Sequence, residues 1–559
     1  MSTPITLLRV SAMLRFLFAT LALALTTTSA PGSEPLRLNL RFQTPLSEGD
    51  TAYHIRQREE LWLPQHTALI ICDMWDSHHC VNAVRRVGQI APRIDSLAKT
   101  LRNQGVTIIH APSSCMDFYA EHPARRRTLE LKEGKDPPKN IAAWCDQIPS
   151  EESIDYPLDQ SDGGEDDDPI EHASWIQRLK ADGKDPRVPW FRQTPIIAID
   201  PQADFISDDG KVIWSLLQDR GIENVILVGV HTNMCVLGRP FGLRRLAAAG
   251  KNVVLCRDLT DTMYNPASWP YASHFTGTDL IVSHIERHIC PTISSDQILG
   301  GEPHRFALDR RPHIVTLIGE SEYGTKDTLP RFAAAHLSKN YRVTIAHADT
   351  KDKNRIVGAD AVRRADVLLV SVRRRALPKQ QLDLVRAHVA SGKPMVGIRT
   401  ASHAFALRRG TPPDGHDVWP EFDSQVWGGA YDGHYGNDLA VQLHAPTKDA
   451  GLISASDLAG LVPGGSLYKN TPLQPGTTPV LHGSVDGAGK HPLAWTYVRS
   501  DGGKSFYTSL GHVKDFEQAE FQALLLRGIH WASGVDARAD IADTKKQAEL
   551  YASGSGKQR

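Results

Sequence analysis

The chain has 559 residues, of which 41% are hydrophobic, so it is long enough for about two to four domains with buried cores. Its 63 lysines and arginines nearly cancel its 64 aspartates and glutamates, and the formal net charge is -1. A chain without excess positive charge is not expected to bind nucleic acid, and the composition excludes that class of partner.

The N-terminus has the order of a secretory signal peptide. Arg9 and Arg15 precede an apolar block at 16–25, and small residues follow at 28–30. The block is short for a membrane span, and no later apolar run is long enough for one. We therefore predict a signal peptide at 1–30, a mature protein that is periplasmic or secreted, and no membrane segment after cleavage. The alternative is an uncleaved membrane anchor.

Short apolar runs alternate with helical patterns in the first half of the chain. Continuous β-branched runs of this kind, separated by helices, predict a mostly parallel sheet that is covered on both faces. We expect a three-layer α/β/α domain over residues 36–300, with ligands at the carboxyl ends of its strands. The predicted strands are 68–72, 106–109, 195–199, 225–228 and 253–255, and the predicted helices are 93–103, 212–220 and 237–246.

A segment rich in proline, glycine and acidic residues separates the second and third of these strands, at 132–192. Its most acidic run, at 159–168, could surround a calcium ion with carboxylate oxygens, although the spacing is not that of a helix-loop-helix calcium site. We favour the other interpretation, a solvated acidic loop.

All seven cysteines lie before residue 300. In an exported protein an odd number permits three disulfides and one free thiol. The alternative is that cysteines such as Cys72 and Cys256, which lie in apolar strand patterns, are small buried residues. The sequence leaves the pairing open.

The pattern breaks at 300–312 and then starts again, which indicates a linker and a second domain. Apolar runs at 313–319, 341–346, 367–371 and 394–398 predict a second three-layer α/β/α domain with a mostly parallel sheet. We place this domain at 312–536 and expect residues 537–559 to form a disordered tail.

One turn carries the strongest functional signal. After the strand 225–228, residues 229–236 read GVHTNMCV and bring Cys235 to the first turn of a predicted helix. A helix N-terminus lowers a thiol pKa and offers N–H groups to an oxyanion. Asp73 follows the first parallel strand, and neighbouring parallel strands would bring it to the same edge as Cys235. For Cys235 alone, a buried structural cysteine is the alternative.

Together with Asp73, this turn resembles the isochorismatase-like cysteine hydrolases, the family of nicotinamidase and N-carbamoylsarcosine amidohydrolase, over roughly residues 60–295. The resemblance implies that Cys235 is the nucleophile and Asp73 the proton acceptor. It also implies an oxyanion hole from the N–H groups of His231 and Cys235, with a cis peptide bond between Val230 and His231. A small-molecule substrate is expected nearby, with Trp75, Asn233 and Asp200 as candidate binding residues.

The sequence departs from this family at its third catalytic residue, a lysine on the strand before the cysteine strand. Asp200 stands in that region, where it would raise the thiol pKa, and no lysine occurs between Lys184 and Lys211. Either Arg192 or Lys211 supplies the positive charge from another direction, or the chemistry is altered or lost.

The metal-binding Asp-x-His of the nicotinamidases is also missing. Asp76, His78 and His79 could offer a different set of ligands, but adjacent histidines on a helix point about 100° apart. We expect these histidines to line the pocket or cap the helix. No cofactor is firmly implied, and a divalent metal stays open.

In the second half, polar residues again follow buried strands and glycine-flanked turns. Arg399, His403, His434 and His512 are candidate lining residues of a sugar or polyol pocket. Ser402 and His403 are consecutive, which we expect to be a poor geometry for a nucleophile and its base.

Three stretches, at 428–434, 507–512 and 524–532, together resemble the ThuA-like, trehalose-utilisation domains over about residues 312–535. The resemblance implies a flavodoxin-like fold related to class I glutamine amidotransferases, and a link to carbohydrate use. The cysteine of the amidotransferase turn is absent.

Three functions stay open. The first is an exported bifunctional hydrolase that cleaves an amide, carbamoyl or ester bond through Cys235 and handles a carbohydrate ligand in its second domain. The second is a catalytically altered sugar-binding or scaffold protein. The third places all chemistry in the second domain. A homo-oligomer is compatible with each.

Overall fold

The computed structural model describes residues 34–444, 452–454 and 456–535. The predicted signal peptide at 1–30 and the predicted tail at 537–559 lie outside the described residues. Two eight-stranded sheets, one in each half of the chain, carry helices on their faces, which confirms the predicted α/β class with two mostly parallel sheets. Within the described residues, no helix is both long enough and apolar enough to cross a membrane.

The first sheet has six parallel strands and an antiparallel hairpin at one edge. Its strand order is β2-β1-β8-β7-β6-β3-β4-β5. The strands are β1 (Leu36–Pro45), β2 (Tyr53–Trp62), β3 (Thr67–Cys72), β4 (Thr107–Ala111), β5 (Phe205–Ile206), β6 (Asn224–Val230), β7 (Asn252–Asp261) and β8 (Thr292–Ile293). The central strands β3 and β6 are buried along almost their whole length, as expected for a sheet covered on both faces.

Seven α-helices accompany this sheet. They are α1 (Val81–Asn103), α2 (Pro123–Leu129), α3 (Pro169–Ala181), α4 (Gly210–Asp219), α5 (Leu243–Ala248), α6 (His274–His288) and α7 (Asp296–Leu299). The long helix α1 places one apolar face on the sheet.

Two predicted elements of the first half are wrong. Residues 195–199 form a turn rather than a strand: Ile196 is exposed, and Ile197 donates its N–H to Thr194. Pro195 has no N–H for a strand ladder, and the edge position belongs to the short strand β5. The predicted helix at 237–246 is interrupted, because Pro240 and a turn that ends at Gly242 separate the Cys235 turn from α5.

The second sheet joins five parallel strands to an antiparallel meander, in the order β10-β9-β11-β13-β18-β17-β16-β15. The segment between α7 and this sheet, 300–312, carries no helix or strand. The strands of the second half are β9 (His313–Gly319), β10 (Arg342–His347), β11 (Val367–Val372), β12 (Leu377–Pro378), β13 (Met395–Ile398), β14 (His416–Asp417), β15 (Gln442–His444), β16 (Thr477–Ser484), β17 (His491–Val498) and β18 (Lys504–Thr508). Its α-helices are α8 (Thr325–Phe332), α9 (Lys379–Ala390) and α10 (Ala519–Ser533).

All seven cysteines are free and buried. The three disulfides that the sequence permitted are therefore not formed, and the alternative is correct for Cys72 and Cys256, each of which is fully buried in a strand. Their side chains fill space in the core of the first domain.

Candidate functional site

The register of the first sheet positions the candidate catalytic pair. Strands β3 and β6 are parallel neighbours, with Cys72 opposite Gly229, so Asp73 and the Cys235 turn leave the sheet side by side. Gly229 has φ 109°, and a Cβ there would lie 2.0 Å from the Cys72 carbonyl oxygen, so the close approach requires glycine. The peptide bond between Val230 and His231 is cis, as the resemblance implied.

Asp73 lies at the centre of a buried polar cluster. Its side chain is fully buried, and Oδ1 accepts the Ser113 N–H at 2.7 Å. Oδ2 accepts a hydrogen bond from Arg239 Nε at 3.0 Å. The Cys235 thiol is close enough to this carboxylate for each group to shift the pKa of the other. One carboxylate therefore connects the thiol to a guanidinium.

Arg239 is the site residue that sequence reasoning missed. It lies four residues after Cys235, and its N–H donates to the Cys235 carbonyl at 3.0 Å, so one helical turn brings both side chains to the same side. The two cations proposed in its place lie elsewhere. Arg192 is 3.6 Å from Asp76, and Lys211 is exposed in the first turn of α4. The available sequence signal was the spacing Cys-x-x-x-Arg.

The electrostatics differ from the expectation for a helix N-terminus. Burial raises the pKa of the Cys235 thiol and the Asp73 charge raises it further, whereas Arg239 lowers it. Burial also raises the pKa of Asp73, and Arg239 opposes that shift. The predicted lowering of the thiol pKa is therefore wrong for the resting site, because desolvation and the carboxylate outweigh the turn. The resting thiol keeps its proton.

Aromatic and imidazole rings form one wall beside Asp73. Trp75 stacks on Trp190 with 4.4 Å between ring centroids, and a small cavity of about 10 Å³ lies between Trp75, His78 and His231. Burial lowers the pKa of His231 to about 3, so its ring is neutral. His78 lines the pocket as expected, but it precedes α1 rather than lying on it.

Two candidate substrate-binding residues have other partners. The Asn233 amide donates to the Met263 carbonyl at 2.8 Å and accepts the Met263 N–H at 3.0 Å, so it holds the Cys235 turn in place. Asp200 lies in the turn before β5, where its Oδ1 accepts the N–H groups of Gln202 and Ala203. Asp200 is not among the groups that act on the Cys235 thiol.

The acidic run at 159–168 is only partly solvated, which corrects the expectation of a free loop. Asp166 forms a two-bond ion pair with Arg86, at 2.8 and 3.0 Å. Asp167 accepts the first N–H groups of α1, from Val81 and Asn82, at 2.8 Å each. The acidic run therefore connects the segment 132–192 to the start of α1 by hydrogen bonds and an ion pair.

The same segment, 132–192, also packs beside the candidate catalytic pair. The Trp144 ring lies 5.6 Å from the Arg239 guanidinium, and Trp144 packs on Gly238, where any Cβ would clash with the ring. Cys235 itself is 8% exposed.

Among the described residues, two groups of side chains could surround a metal ion: Cys80, which precedes α1, with Asp166 and Asp167, and Glu165 with Asp167 and His172. Asp167 belongs to both groups, and both its oxygens already accept backbone N–H groups. Asp166 is neutralised by Arg86. These donors are committed to the fold, so they do not form a free ligand set.

In the second half, the four candidate lining residues lie around two tyrosines. The Arg399 guanidinium is 4.3 Å from the Tyr323 ring and 4.8 Å from the Tyr468 ring. His403 and His434 lie 6.1 and 6.3 Å from Tyr468, and His512 lies 5.9 Å from Tyr323. Sequence reasoning found the cation and the imidazoles but missed the tyrosines, which gave no motif.

Ser402 and His403 have a better geometry than expected. The Ser402 Oγ lies 3.0 Å from His403 Nδ1, because both residues belong to one tight turn, Arg399–His403. Burial and nearby arginines lower the pKa of His403 to about 3. Ser402 is 4% exposed, so its hydroxyl belongs to the packed interior.

Comparison with protein families identifies the second domain. The ThuA family model, described as trehalose utilisation, matches residues 314–532, so the chain contains a ThuA-like domain. Comparison with curated proteins gives no significant match.

Solved structures resemble each half separately. A ThuA-like protein from Bacteroides uniformis has 16% identity and a TM-score of 0.28, over 42% of this chain and 95% of its own. A cysteine hydrolase from Pseudomonas syringae pv. phaseolicola has 15% identity and a TM-score of 0.26, over 42% of this chain and 92% of its own. An isochorismatase family protein from Burkholderia thailandensis has 13% identity and a TM-score of 0.24, over 42% and 94%.

Proposed function

We propose that the first domain is a cysteine hydrolase that cleaves an amide, carbamoyl or ester bond of a small molecule. The observation that carries this proposal is the buried Asp73 carboxylate, which is hydrogen-bonded to Arg239 and interacts electrostatically with the Cys235 thiol. A base within reach of a thiol, with a cation that compensates the base, is what covalent catalysis by cysteine requires.

The proposed reaction begins with transfer of the thiol proton to Asp73. The sulfur bonds to the substrate carbonyl carbon, and the carbonyl oxygen becomes an oxyanion that the N–H groups of His231 and Cys235 receive. The C–N or C–O bond then breaks, and Asp73 returns the proton to the leaving amine or alcohol. Water attacks the remaining thioacyl group and gives a proton to Asp73. The C–S bond breaks, the acid leaves, and the thiol regains its proton.

Arg239 takes the place of the family's lysine in this proposal. Its Nε–Asp73 hydrogen bond keeps a buried carboxylate charged, and its charge lowers the cost of forming a thiolate beside that carboxylate. Arginine stays protonated in nearly any protein environment, so it serves as a fixed cation rather than a proton donor.

The first experiment combines turnover and alkylation of the purified protein. Cys235→Ala should abolish hydrolysis of p-nitrophenyl acetate and of a panel of amides. Cys290→Ala is a matched control, because Cys290 is also 8% exposed and burial likewise raises its pKa, but the carboxylate near it, Glu286, comes without an arginine that lowers the thiol pKa. When the protein is treated with iodoacetamide, the fraction of activity lost should equal the fraction of Cys235 that is labelled and should not depend on the labelling of Cys290. Equal turnover in Cys235→Ala and the unchanged protein would refute the proposal.

A second function belongs to the ThuA-like domain, for which we propose carbohydrate binding. The Arg399 guanidinium between two tyrosine rings supports it, because aromatic faces and polar groups together suit a sugar ring. Calorimetry with trehalose and glucose should detect binding that Tyr468→Ala removes. If His434→Ala or His512→Ala abolished turnover while Cys235→Ala did not, the chemistry would belong to this domain instead.

We further propose export, on the strength of the sequence pattern at 1–30. Fractionation of expressing cells should place the full chain outside the cytoplasm, and a chain that starts at residue 31 inside it. Equal distribution of the two chains would contradict the proposal.

A further inference from the structure

A large cavity lies between the two halves of the chain, and none of the candidate site residues described above lines it. Its volume is about 520 Å³, within the range of small-molecule sites. Its walls come from β7 and α6 of the first half, from the segment 300–312, and from the amino ends of β9 and β10. An ion pair between Arg364 and Asp296, at 3.2 Å, joins the two halves beside it.

The charged groups of this cavity are unevenly paired. Six arginines and five carboxylates line it, and every one of the carboxylates already has a partner. Asp309 and Asp279 accept from Arg311, Asp258 accepts from Ser295 and His304, Asp366 accepts the His313 N–H, and Glu302 lies 3.7 Å from Arg364. Each carboxylate of the cavity therefore has a hydrogen-bond or ion-pair partner within the protein.

Two of the arginines remain without a carboxylate. Arg257 donates only to hydroxyls, to Ser294 at 3.1 Å and to Thr292 at 3.4 Å. In the part of the chain that the structure describes, the Arg342 guanidinium has neither a hydrogen bond nor an ion pair. Arg257 and Arg342 are half-buried, and a cation removed from water without a partner is costly.

Neighbouring cations add to this cost. Burial and the nearby Arg41 lower the pKa of Arg257 to about 10. Burial also lowers the pKa of Arg342; Arg305 and Arg311 add to that shift, whereas Asp279 and Asp309 oppose it. The six arginines of the lining exceed its five carboxylates by one, and an anion bound beside Arg257 and Arg342 would compensate two guanidinium groups that have no carboxylate in hydrogen-bonding contact.

One wall of the cavity is aromatic. Phe275 and Phe306 stack with 5.5 Å between centroids and 25° between ring planes, and both face the cavity. A flat apolar wall in the same cavity as unpaired guanidinium groups suits a ligand with a ring-sized body and an anionic group.

We propose that this interdomain cavity is a binding site for a small organic anion, a phosphate or carboxylate carried on a sugar-sized ring. Arg257 and Arg342 bind its charge, and the Phe275–Phe306 wall covers its ring. The site is independent of Cys235 chemistry and of the sugar pocket around Arg399.

The test is calorimetry on the full mature chain with glucose 6-phosphate, glucuronate and glucose. The anion arms distinguish a phosphate from a carboxylate ligand, and glucose is the neutral control. Arg257→Gln and Arg342→Gln should each weaken binding of the preferred anion at least tenfold, since each removes a charge-assisted contact. Arg310→Gln is the matched control, because Arg310 is exposed on the same segment and does not line the cavity.

The outcomes separate the alternatives. Absence of binding for both anions, or glucose binding as tightly as glucose 6-phosphate, would overturn the proposal. Binding that survives in Arg257→Gln and Arg342→Gln but is lost in Arg399→Gln would assign the ligand to the second-domain pocket and also overturn it. Circular dichroism checks that each variant folds. If either Arg257→Gln or Arg342→Gln fails to fold, the anion affinity of the other variant tests the proposal.

Discussion

Replacing Asp73 by asparagine should separate thiol ionisation from catalysis. The Asp73 charge raises the pKa of Cys235, and Arg239 lowers it. Asparagine removes the negative charge and leaves the guanidinium unopposed, so the thiolate fraction at pH 8 should rise. Hydrolysis should fall, because asparagine cannot accept the thiol proton or protonate a leaving amine.

The magnitude follows from the charge interaction itself. Two unit charges about 4 Å apart interact by roughly 4 kcal/mol at an effective dielectric constant of 20 and by about 1 kcal/mol in water. Arg239, 3.0 Å from Asp73, offsets part of this. A net gain of about 1.4 kcal/mol already gives tenfold more thiolate, so alkylation should accelerate about tenfold or more. Turnover should fall by roughly 10²–10⁴.

The assay measures the rate of iodoacetamide labelling at Cys235 by mass spectrometry, in parallel with ester hydrolysis. Asp76→Asn is the control, because Asp76 is a neighbouring half-buried carboxylate that faces Arg192 instead. If Asp73→Asn slowed alkylation together with hydrolysis, the carboxylate would be activating the resting thiol, and the electrostatic reasoning would be wrong. If it changed neither rate, Asp73 would have no role as the base.

Three further predictions address other parts of the molecule. Arg239→Gln should destabilise the fold by about 3–5 kcal/mol, because Asp73 becomes an unpaired buried charge, and should reduce turnover about a hundredfold. Arg239→Lys keeps a positive charge and should restore most of the stability and most of the turnover. Urea unfolding measures the stability, and the kinetics of ester hydrolysis measure the turnover. Although burial opposes it, Asp261 and Asp166 raise the pKa of His274 to about 9. The stabilisation from that raised pKa is complete below the unfolded value of about 6.5 and is lost as pH rises through about 9, so unfolding free energy should fall by roughly 3 kcal/mol across that window, and His274→Gln should flatten the profile. A Cβ at residue 465 would lie 2.4 Å from Arg399 Nη2, so Gly465→Ala should weaken sugar binding about tenfold and leave ester hydrolysis unchanged. Gly489→Ala is the control: its Cβ would lie in open space, so neither sugar binding nor ester hydrolysis should change.

Much of the scaffold follows from apolar periodicity alone. The run 313–319 coincides with β9, and 68–72 differs from β3 by a single residue, because buried parallel strands are apolar on both faces. The exception, 195–199, shows the limit of that signal. Its isoleucines are as apolar as those of the true strands, but Pro195 lacks a donor and Ile196 is 44% exposed. The composition of a segment does not show whether its backbone N–H and C=O groups are hydrogen-bonded in a sheet.

The candidate site shows a related limit. Asp73 and Cys235 could be paired from sequence because each follows a strand, and strand adjacency is a rule of the fold. Arg239 could not be found by that rule, because the family places its cation on a different strand. Arg239 can be identified as a site residue only from the structure, which shows that the chain makes one helical turn from Cys235 to Arg239 before Pro240 ends it.

The residue that follows β13 decides how the two domains divide the proposed chemistry. The turn after this strand presents Arg399 at φ 44°, and a permanently charged guanidinium cannot attack a carbonyl. Ser402, the hydroxyl nearest to an imidazole in that turn, is 4% exposed and lies beside a histidine whose pKa is lowered to about 3, which makes it a weak base at neutral pH. A covalent intermediate is therefore better supported at Cys235, and the geometry around Arg399 fits binding. A single substitution, Cys235→Ala, should then remove turnover and leave sugar affinity unchanged.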